Sequence, residues 1–371
     1  MAPRYRWFVA GLATVLAYFQ FGTGLHRKAV RRWDEQIYYN VAQNVLDGHW
    51  LLPQFTLESH PLTVPTPFLH KPPLAYWLQA GAMSAFGVSP ASARLPSLLA
   101  AAGTVGVAVL LAIRLRGPPA GGFTAAVLLL SPAYLMTHGA TDIGTDALLV
   151  FFGIASIYAL VVAVETSAAR WQLLAGGLFG LATLSKGIAA APFALFALPF
   201  VVRHRDDLGW AGVGRVVGAG TLVVVPWFAA VAALAPEELL GQMFLQQVAD
   251  RATGARFVAY DSTTFEFMHY PYLREAPSYL GVAWTLLPVA ATVSVVESVL
   301  TRRLDDVDVL CWPLLLGTVG LYAATGNHLW YLLPVVVPGA VLVGRAASAI
   351  VTAVADAVVT YAALRREDAD V

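Results

Sequence analysis

Charge is the first scarcity. Asp, Glu, Lys and Arg make up 12% of the 371 residues, about half the share found in ordinary soluble domains. So little polar material cannot clothe a water-facing surface, and an ordinary cytosolic globule is excluded. The 23 basic and 23 acidic residues cancel, so nothing global argues for nucleic acid as a partner. Cysteine is nearly missing too. Cys311 stands alone, which rules out an internal disulfide and leaves the redox compartment unread. There is no Walker loop, no dinucleotide fingerprint after a strand, no HExxH, no paired CxxC and no GxSxG elbow. Nucleotide cofactors and a zinc site are disfavoured accordingly. Ser/Gly linkers and solenoid-like periods are absent as well. One membrane domain over 1–345 is expected, with 346–371 as a C-terminal helix and short tail.

What is abundant is apolar residue: 58% of the chain is AVILMFWYC, gathered into long runs. A helix needs about 20 largely uncharged residues to cross a hydrocarbon core of about 30 Å. Runs 7–25, 95–113, 121–138, 147–165, 171–185, 187–202, 216–235, 279–298, 308–325 and 329–344 qualify. The expected fold class is therefore all-α, a polytopic membrane protein of about 10–11 transmembrane helices. Segment 74–87 is too short to cross and reads as an interfacial helix. Segment 346–363 carries Asp356 in its middle and fits either a further span or an interfacial helix. The short loops RLR (114–116), RHR (203–205) and RR (302–303) share one side if the spans alternate. The positive-inside rule makes that side, and the N-terminus, cytoplasmic.

Ionisable groups at the ends of apolar runs are expensive and point to function. On the opposite side from the basic loops, this topology gathers Asp34, Glu35, Lys71, Asp142, Asp146, Lys186, Arg251 and His328. Asp34-Glu35, beside Trp33 and Tyr38-Tyr39, is a carboxylate pair whose pKa values an aromatic setting can drive apart for acid/base work. Arg27, Lys28, Arg31 and Arg32 recur at helical spacing and fit either a solvated helix face or phosphate binding. In FLHKPPLAYW, residues 68–77, Pro72-Pro73 stiffens the chain and presents His70 and Lys71 at the mouth of the next helix, which fits either an anion site or a surface lysine beside a rigid turn. Asp142 and Asp146 precede a span and equally fit helix caps. Lys186-Gly187 interrupts an apolar stretch, and that lysine also fits simple snorkelling. Gly-rich 176–180 reads as a helix packing face.

The order of these pieces carries more than any one of them. WDEQIYYNVAQNVLDGHWLLP, HKPPLAYWLQAGAMSAFGVSPASARLPS, TDALLVFF, GLATLSKG and NHLWYLLPVVVP together resemble the polyprenyl-phosphate-dependent GT-C glycosyltransferases, which include the protein O-mannosyltransferases and the aminoarabinose transferase of lipid A. The resemblance implies sugar transfer from a polyprenyl-phosphate carrier, dolichyl-phosphate mannose or an undecaprenyl equivalent, on the outer face. The acceptor would be a glycan, a protein (protein glycosylation) or a lipid; membrane lipids are the other partners, with no nucleic acid. It also implies a catalytic set of Asp34, Glu35, Asp146 and Asp142, with Asp142 imitating another version of the motif in which Asp146 is matched. The donor-phosphate set would be Lys71, Lys186, Arg251 and His328. Many members carry Lys or Arg where this chain has His328. No cofactor is required, and a divalent metal between Asp34 and Asp146 stays open. The alternatives are a secondary transporter, against which the charges gather at one face rather than the midplane, and a non-catalytic lipid-binding subunit.

Overall fold

The computed structural model describes residues 3–27, 29–31, 33–58, 64–249, 275–325 and 329–369. The described residues are helical, joined by turns and irregular loops, with no strand among them. In chain order the helices are α1 (Pro3–Phe21), α2 (Asp34–Leu46), α3 (Leu74–Phe86), α4 (Pro90–Arg116), α5 (Pro118–Leu129), α6 (Asp146–Thr166), α7 (Ala169–Lys186), α8 (Ala191–Leu195) and α9 (Leu198–Arg203). They continue as α10 (Arg205–Leu234), α11 (Pro236–Glu238) with a π-helical run Leu239–Ala249, α12 (Val282–Thr301), α13 (Asp306–Thr325) and α14 (Leu333–Ala369).

Local chemistry sets the boundaries. Ser89 and Ser92 form a reciprocal capping box with Pro90 in the first turn of α4, so two end donors are satisfied where a long apolar helix begins. Gly117 at φ +85 and Pro118 then stop α4 and start α5. Gly176 lets α7 meet α10: a Cβ there would sit 1.9 Å from the Val216 carbonyl oxygen. Such contact between backbones is how helices associate where lipid offers no hydrophobic drive, and it bears out the packing-face reading of 176–180.

Seven stretches among the described residues are long and apolar enough to cross a membrane: Pro90–Arg116, Asp146–Thr166, Ala169–Leu195, Arg205–Leu234, Val282–Thr301, Asp306–Ala323 and Leu329–Ala363. The sequence count of about ten includes three runs that miss this standard for separate reasons. α1 opens with Arg4 and Arg6, α5 has 12 residues, and the run after Lys186 breaks into a 3-10 turn (Gly187–Ala190), α8 and α9. Segment 346–363 is no separate span, because α14 is one helix of 37 residues, roughly 55 Å long at 1.5 Å per residue. Burial ends just past Arg345 and Ala346, and residues 350–363 are exposed.

The bundle has two ends. At one, Arg114 Nε meets Glu165 Oε2 at 2.6 Å, Ser167 Oγ donates to the Asp207 carbonyl at 2.9 Å and Arg203 donates to the Leu304 carbonyl at 2.9 Å. This end holds the basic loops. At the other, Gln79 Nε2 donates to the Gly144 carbonyl at 3.1 Å and Trp227 Nε1 to the Leu51 carbonyl at 3.1 Å. That second end carries α2, α3 and the loops between helices.

Candidate active site

Arg27 and Arg31 do not lie on a helix: α2 begins only at Asp34, after Trp33 at φ +72. The apparent helical spacing of the basic residues therefore does not form a helix face. Carboxylates draw them inward instead, Arg27 Nη2 lying 3.3 Å and Arg31 Nη1 2.9 Å from Asp142. Lys28 and Arg32 lie outside the described residues.

Glu35 is anchored from three directions. Arg94, fully buried at the start of α4, places its Nε 2.9 Å from Glu35 Oε1, and the Ile143 N–H donates to the same oxygen at 3.1 Å. The Arg31 N–H donates to Oε2. Arg94 also donates to the carbonyls of Arg27 and Ala29, the latter at 2.8 Å. Burial alone would raise the Glu35 pKa, but the Arg94 hydrogen bond and the two backbone donors outweigh it and hold the carboxyl below its ordinary value.

Asp142 and Asp146 divide the labour between them. Asp142 takes the two arginines and the His138 N–H, at 2.7 Å to Oδ2. Asp146 is the first residue of α6, with Thr145 as N-cap and no side-chain cap bond, so neither carboxylate caps the helix. Asp146 Oδ1 pairs instead with Lys186 Nζ, and Oδ2 lies 3.2 Å from His138 Nδ1. The Lys186 ammonium rests over the Tyr331 ring, 5.3 Å from its centroid.

Asp34 differs from all three. Its side chain is 49% exposed, against 4% for Glu35, 7% for Asp142 and 5% for Asp146. Its nearest titratable neighbour across the described pairs is His138, Nε2 to Oδ2 at 3.7 Å. Beneath it lie Tyr38 and Tyr76, both buried. Burial, with the charge of Asp34 adding to it, pushes both phenols well above their ordinary pKa, so they stay protonated.

The Lys71 turn reaches this end through backbone clamps. Gln242 accepts from the Leu69 N–H at 2.8 Å and donates to the Pro67 carbonyl at 2.9 Å. Pro72 lies against Gly187, its Cδ 3.5 Å from where a Cβ would stand. Gly187 sits at φ +62, a conformation open to glycine. Lys71-Pro72 and Lys186-Gly187 are thereby neighbours.

Of the sequence candidates, Asp34, Glu35, Asp142, Asp146 and Lys186 converge, and Lys71 adjoins them. Arg251 and His328 lie outside the described residues. Sequence reasoning missed the roles of His138 and Arg94. The signal for Arg94 was an ionisable residue immediately before the apolar run 95–113; for His138 it was a histidine closing the apolar run 121–138. Among the described residues no three His, Cys, Asp or Glu side chains converge at metal-ligating spacing. Between Asp34 and Asp146 stands the His138 ring.

Comparison with known proteins agrees with this architecture. The family profile described as dolichyl-phosphate-mannose-protein mannosyltransferase matches residues 70–229. The undecaprenyl phosphate-alpha-4-amino-4-deoxy-L-arabinose arabinosyl transferase of Pseudomonas paraeruginosa is 31% identical over 207 residues, covering 53% of this chain and 36% of that protein. Its counterpart from Proteus mirabilis is 24% identical over 360 residues, covering 93% and 60%. ArnT from Cupriavidus metallidurans, solved with bound undecaprenyl phosphate, superposes with a TM-score of 0.73 at 20% identity, over 93% of this chain and 60% of that one. The oligosaccharyltransferase of Archaeoglobus fulgidus superposes at 0.62 with 14% identity, over 98% and 52%. The chain thus spans about a third to three fifths of the length of these relatives. The resemblance to polyprenyl-phosphate-dependent GT-C glycosyltransferases holds in sequence and in fold.

Proposed function

We propose that this protein transfers a sugar from a polyprenyl-phosphate carrier to an acceptor hydroxyl, on the outer face of the cell membrane and with inversion at the anomeric carbon. The observation that carries the reading is Asp34: of four clustered carboxylates, three are buried and tied to cations, and this one opens to solvent beside them.

The chemistry follows from that division. A phosphate-linked sugar already has a good leaving group, so the protein must hold the departing charge and activate the acceptor. Asp34 is the base for the acceptor hydroxyl. Lys71 takes the carrier phosphate, and Lys186 adds positive field while neutralising Asp146. Glu35 and Asp142 position rather than react, fixing the start of α2 and the 138–146 loop. One direct displacement inverts the anomeric centre. Exposed apolar helix faces supply the bed for the isoprenoid tail.

The outer location rests on the basic loops. Arg114, Arg116, Arg203, Arg302, Arg303 and Arg345 belong to the bundle end opposite Asp34, and such loops stay cytoplasmic. The sugar, the carrier length and the acceptor belong to assay. Purified protein in proteoliposomes, given undecaprenyl- and dolichyl-phosphate sugars with glycan, peptide and lipid acceptors, is expected to release carrier phosphate as glycosylated acceptor accumulates. Carrier binding without any transfer across that panel would favour a non-catalytic lipid-binding subunit and sink the enzyme reading.

A further inference from the structure

His138 stands between two carboxylates and is fixed on every side. Its Nδ1 is 3.2 Å from Asp146 Oδ2 and its Nε2 is 3.7 Å from Asp34 Oδ2. Its own N–H donates to Asp142 Oδ2 at 2.7 Å, and its ring stacks on Trp330 with centroids 4.4 Å apart. The backbone is at φ +66, which a histidine adopts only where its surroundings impose it. Lys186 stands behind Asp146. A single file therefore runs Lys186, Asp146, His138, Asp34, from buried to open.

The tautomer follows from the partners. The Asp146 carboxylate, paired with Lys186, only accepts, so Nδ1 carries the hydrogen and Nε2 presents a lone pair toward Asp34. Two lone pairs then face each other at 3.7 Å, beyond hydrogen-bond length. One proton placed between them would close the gap.

We propose that His138 is a positioning residue for the transfer, which takes over at Nε2 the proton that Asp34 removes from the acceptor and then holds the Asp34 carboxylate through that hydrogen. This rests on the reading of Asp34 as the base. In the transfer step the acceptor O–H gives its proton to Asp34, and the acceptor oxygen bonds to the anomeric carbon. The bond from that carbon to the carrier phosphate oxygen breaks, its electron pair staying on the phosphate. The proton then passes from Asp34 to His138 Nε2, leaving a carboxylate again at Asp34 and an imidazolium flanked by Asp34 and Asp146. Loss of that proton to water restores the neutral ring. Among the described residues the charged groups around the ring are Asp34 on α2, Asp146 on α6 with Lys186 of α7 behind it, and Asp142 at its backbone with Arg27 and Arg31 beyond. Trp330 covers its face.

The test uses the full chain in proteoliposomes and two variants suited to a positive φ. His138→Asn keeps a donor for Asp146 and removes Nε2; His138→Gly leaves a ring-sized gap beside Trp330. His138→Asn is expected to lower kcat about 100-fold with donor KM unchanged, and to lose one ionisation from the acidic limb of the kcat profile. Added imidazole is expected to restore part of the rate in His138→Gly but none in Asp34→Asn. A wild-type kcat and pH profile for His138→Asn would overturn the proposal. So would a loss that imidazole cannot rescue and that raises KM in step. Wild-type protein that transfers no sugar would instead bring down the reading of Asp34 on which the proposal stands, and the proposal with it.

Discussion

Arg345 and Arg94 are both buried arginines that hold carboxylates at opposite ends of one helix bundle. At the basic end, Arg345 on α14, 1% exposed, lies 2.7 Å from Glu297 and 3.1 Å from Asp308 and donates to Ser294 at 2.6 Å. Arg116 joins from α4, 3.0 Å from Asp305 and in contact with Glu297. These partners come from helices and the turn between them, and they staple α4, α12, α13 and α14. At the other end Arg94 holds Glu35, but its further partners are the carbonyls of Arg27 and Ala29 in an irregular loop. That loop leads to Asp34, which stays open. Burial and pairing of charge are thus common to both ends and mark neither as a site. What distinguishes the Asp34 end is a half-exposed acid set beside three buried carboxylates, each held by a cation.

The sharpest way to break this comparison is Asp34→Asn. It is expected to cost more than about 1000-fold in kcat, within the range of acid–base catalysis, with melting temperature unchanged because the side chain is half exposed. Full transfer by this variant would remove the distinction altogether. Next come Arg94→Met and Arg345→Met, each stranding one buried carboxylate, Glu35 or Asp308, at a cost of about 3–5 kcal/mol by chemical denaturation. Their activities should diverge: kcat per folded molecule falls for Arg94→Met, which frees the start of α2, and holds for Arg345→Met. Equal loss in both would mean that the two ends are not functionally distinct. A smaller effect is expected for Lys71→Ala, about ten-fold in kcat/KM for the donor, or about 1.4 kcal/mol of transition-state binding. Unchanged donor dependence would take Lys71 out of the phosphate site.

The smallest effect is one of pH. Glu35 has a folded pKa below its unfolded value, so its contribution to stability is complete above the unfolded carboxylate range, near pH 4.3, and is lost as pH falls through the folded pKa. Melting temperature followed from about pH 7 to about pH 3 should fall less steeply in Glu35→Gln than in the wild type. Parallel curves would show that Arg94 does not hold this carboxyl as an anion.

Much of the site was legible because its charges are conspicuous against so apolar a background. Asp34, Glu35, Asp142, Asp146 and Lys186 were identified one by one as costly residues at the ends of apolar runs, and alternation of the spans sends them to one end. Partners were not legible. Arg94 and Glu35 are 59 residues apart, and Lys186 and Asp146 are 40 apart, and nothing local encodes such a pairing. Nothing in the sequence singled out His138, whose ring folding places between Asp34 and Asp146. The separate partners of Asp142 and Asp146 were not legible for the same reason: one carboxylate serves the arginines and the other the lysine. Segment 346–363 stayed ambiguous because mild hydropathy does not say whether a helix turns back, and α14 runs straight through it.

The sequence by itself determined the class of protein. Scarce charge and long apolar runs leave a helical membrane bundle as the one way to satisfy every backbone group in lipid, and basic loops set its two ends apart. Only the tertiary structure decided which charges neutralise one another and which acid remains open. The reason is physical: hydropathy is summed along the chain, whereas a charge is buried or exposed, paired or stranded, according to neighbours that folding alone brings within a few ångströms.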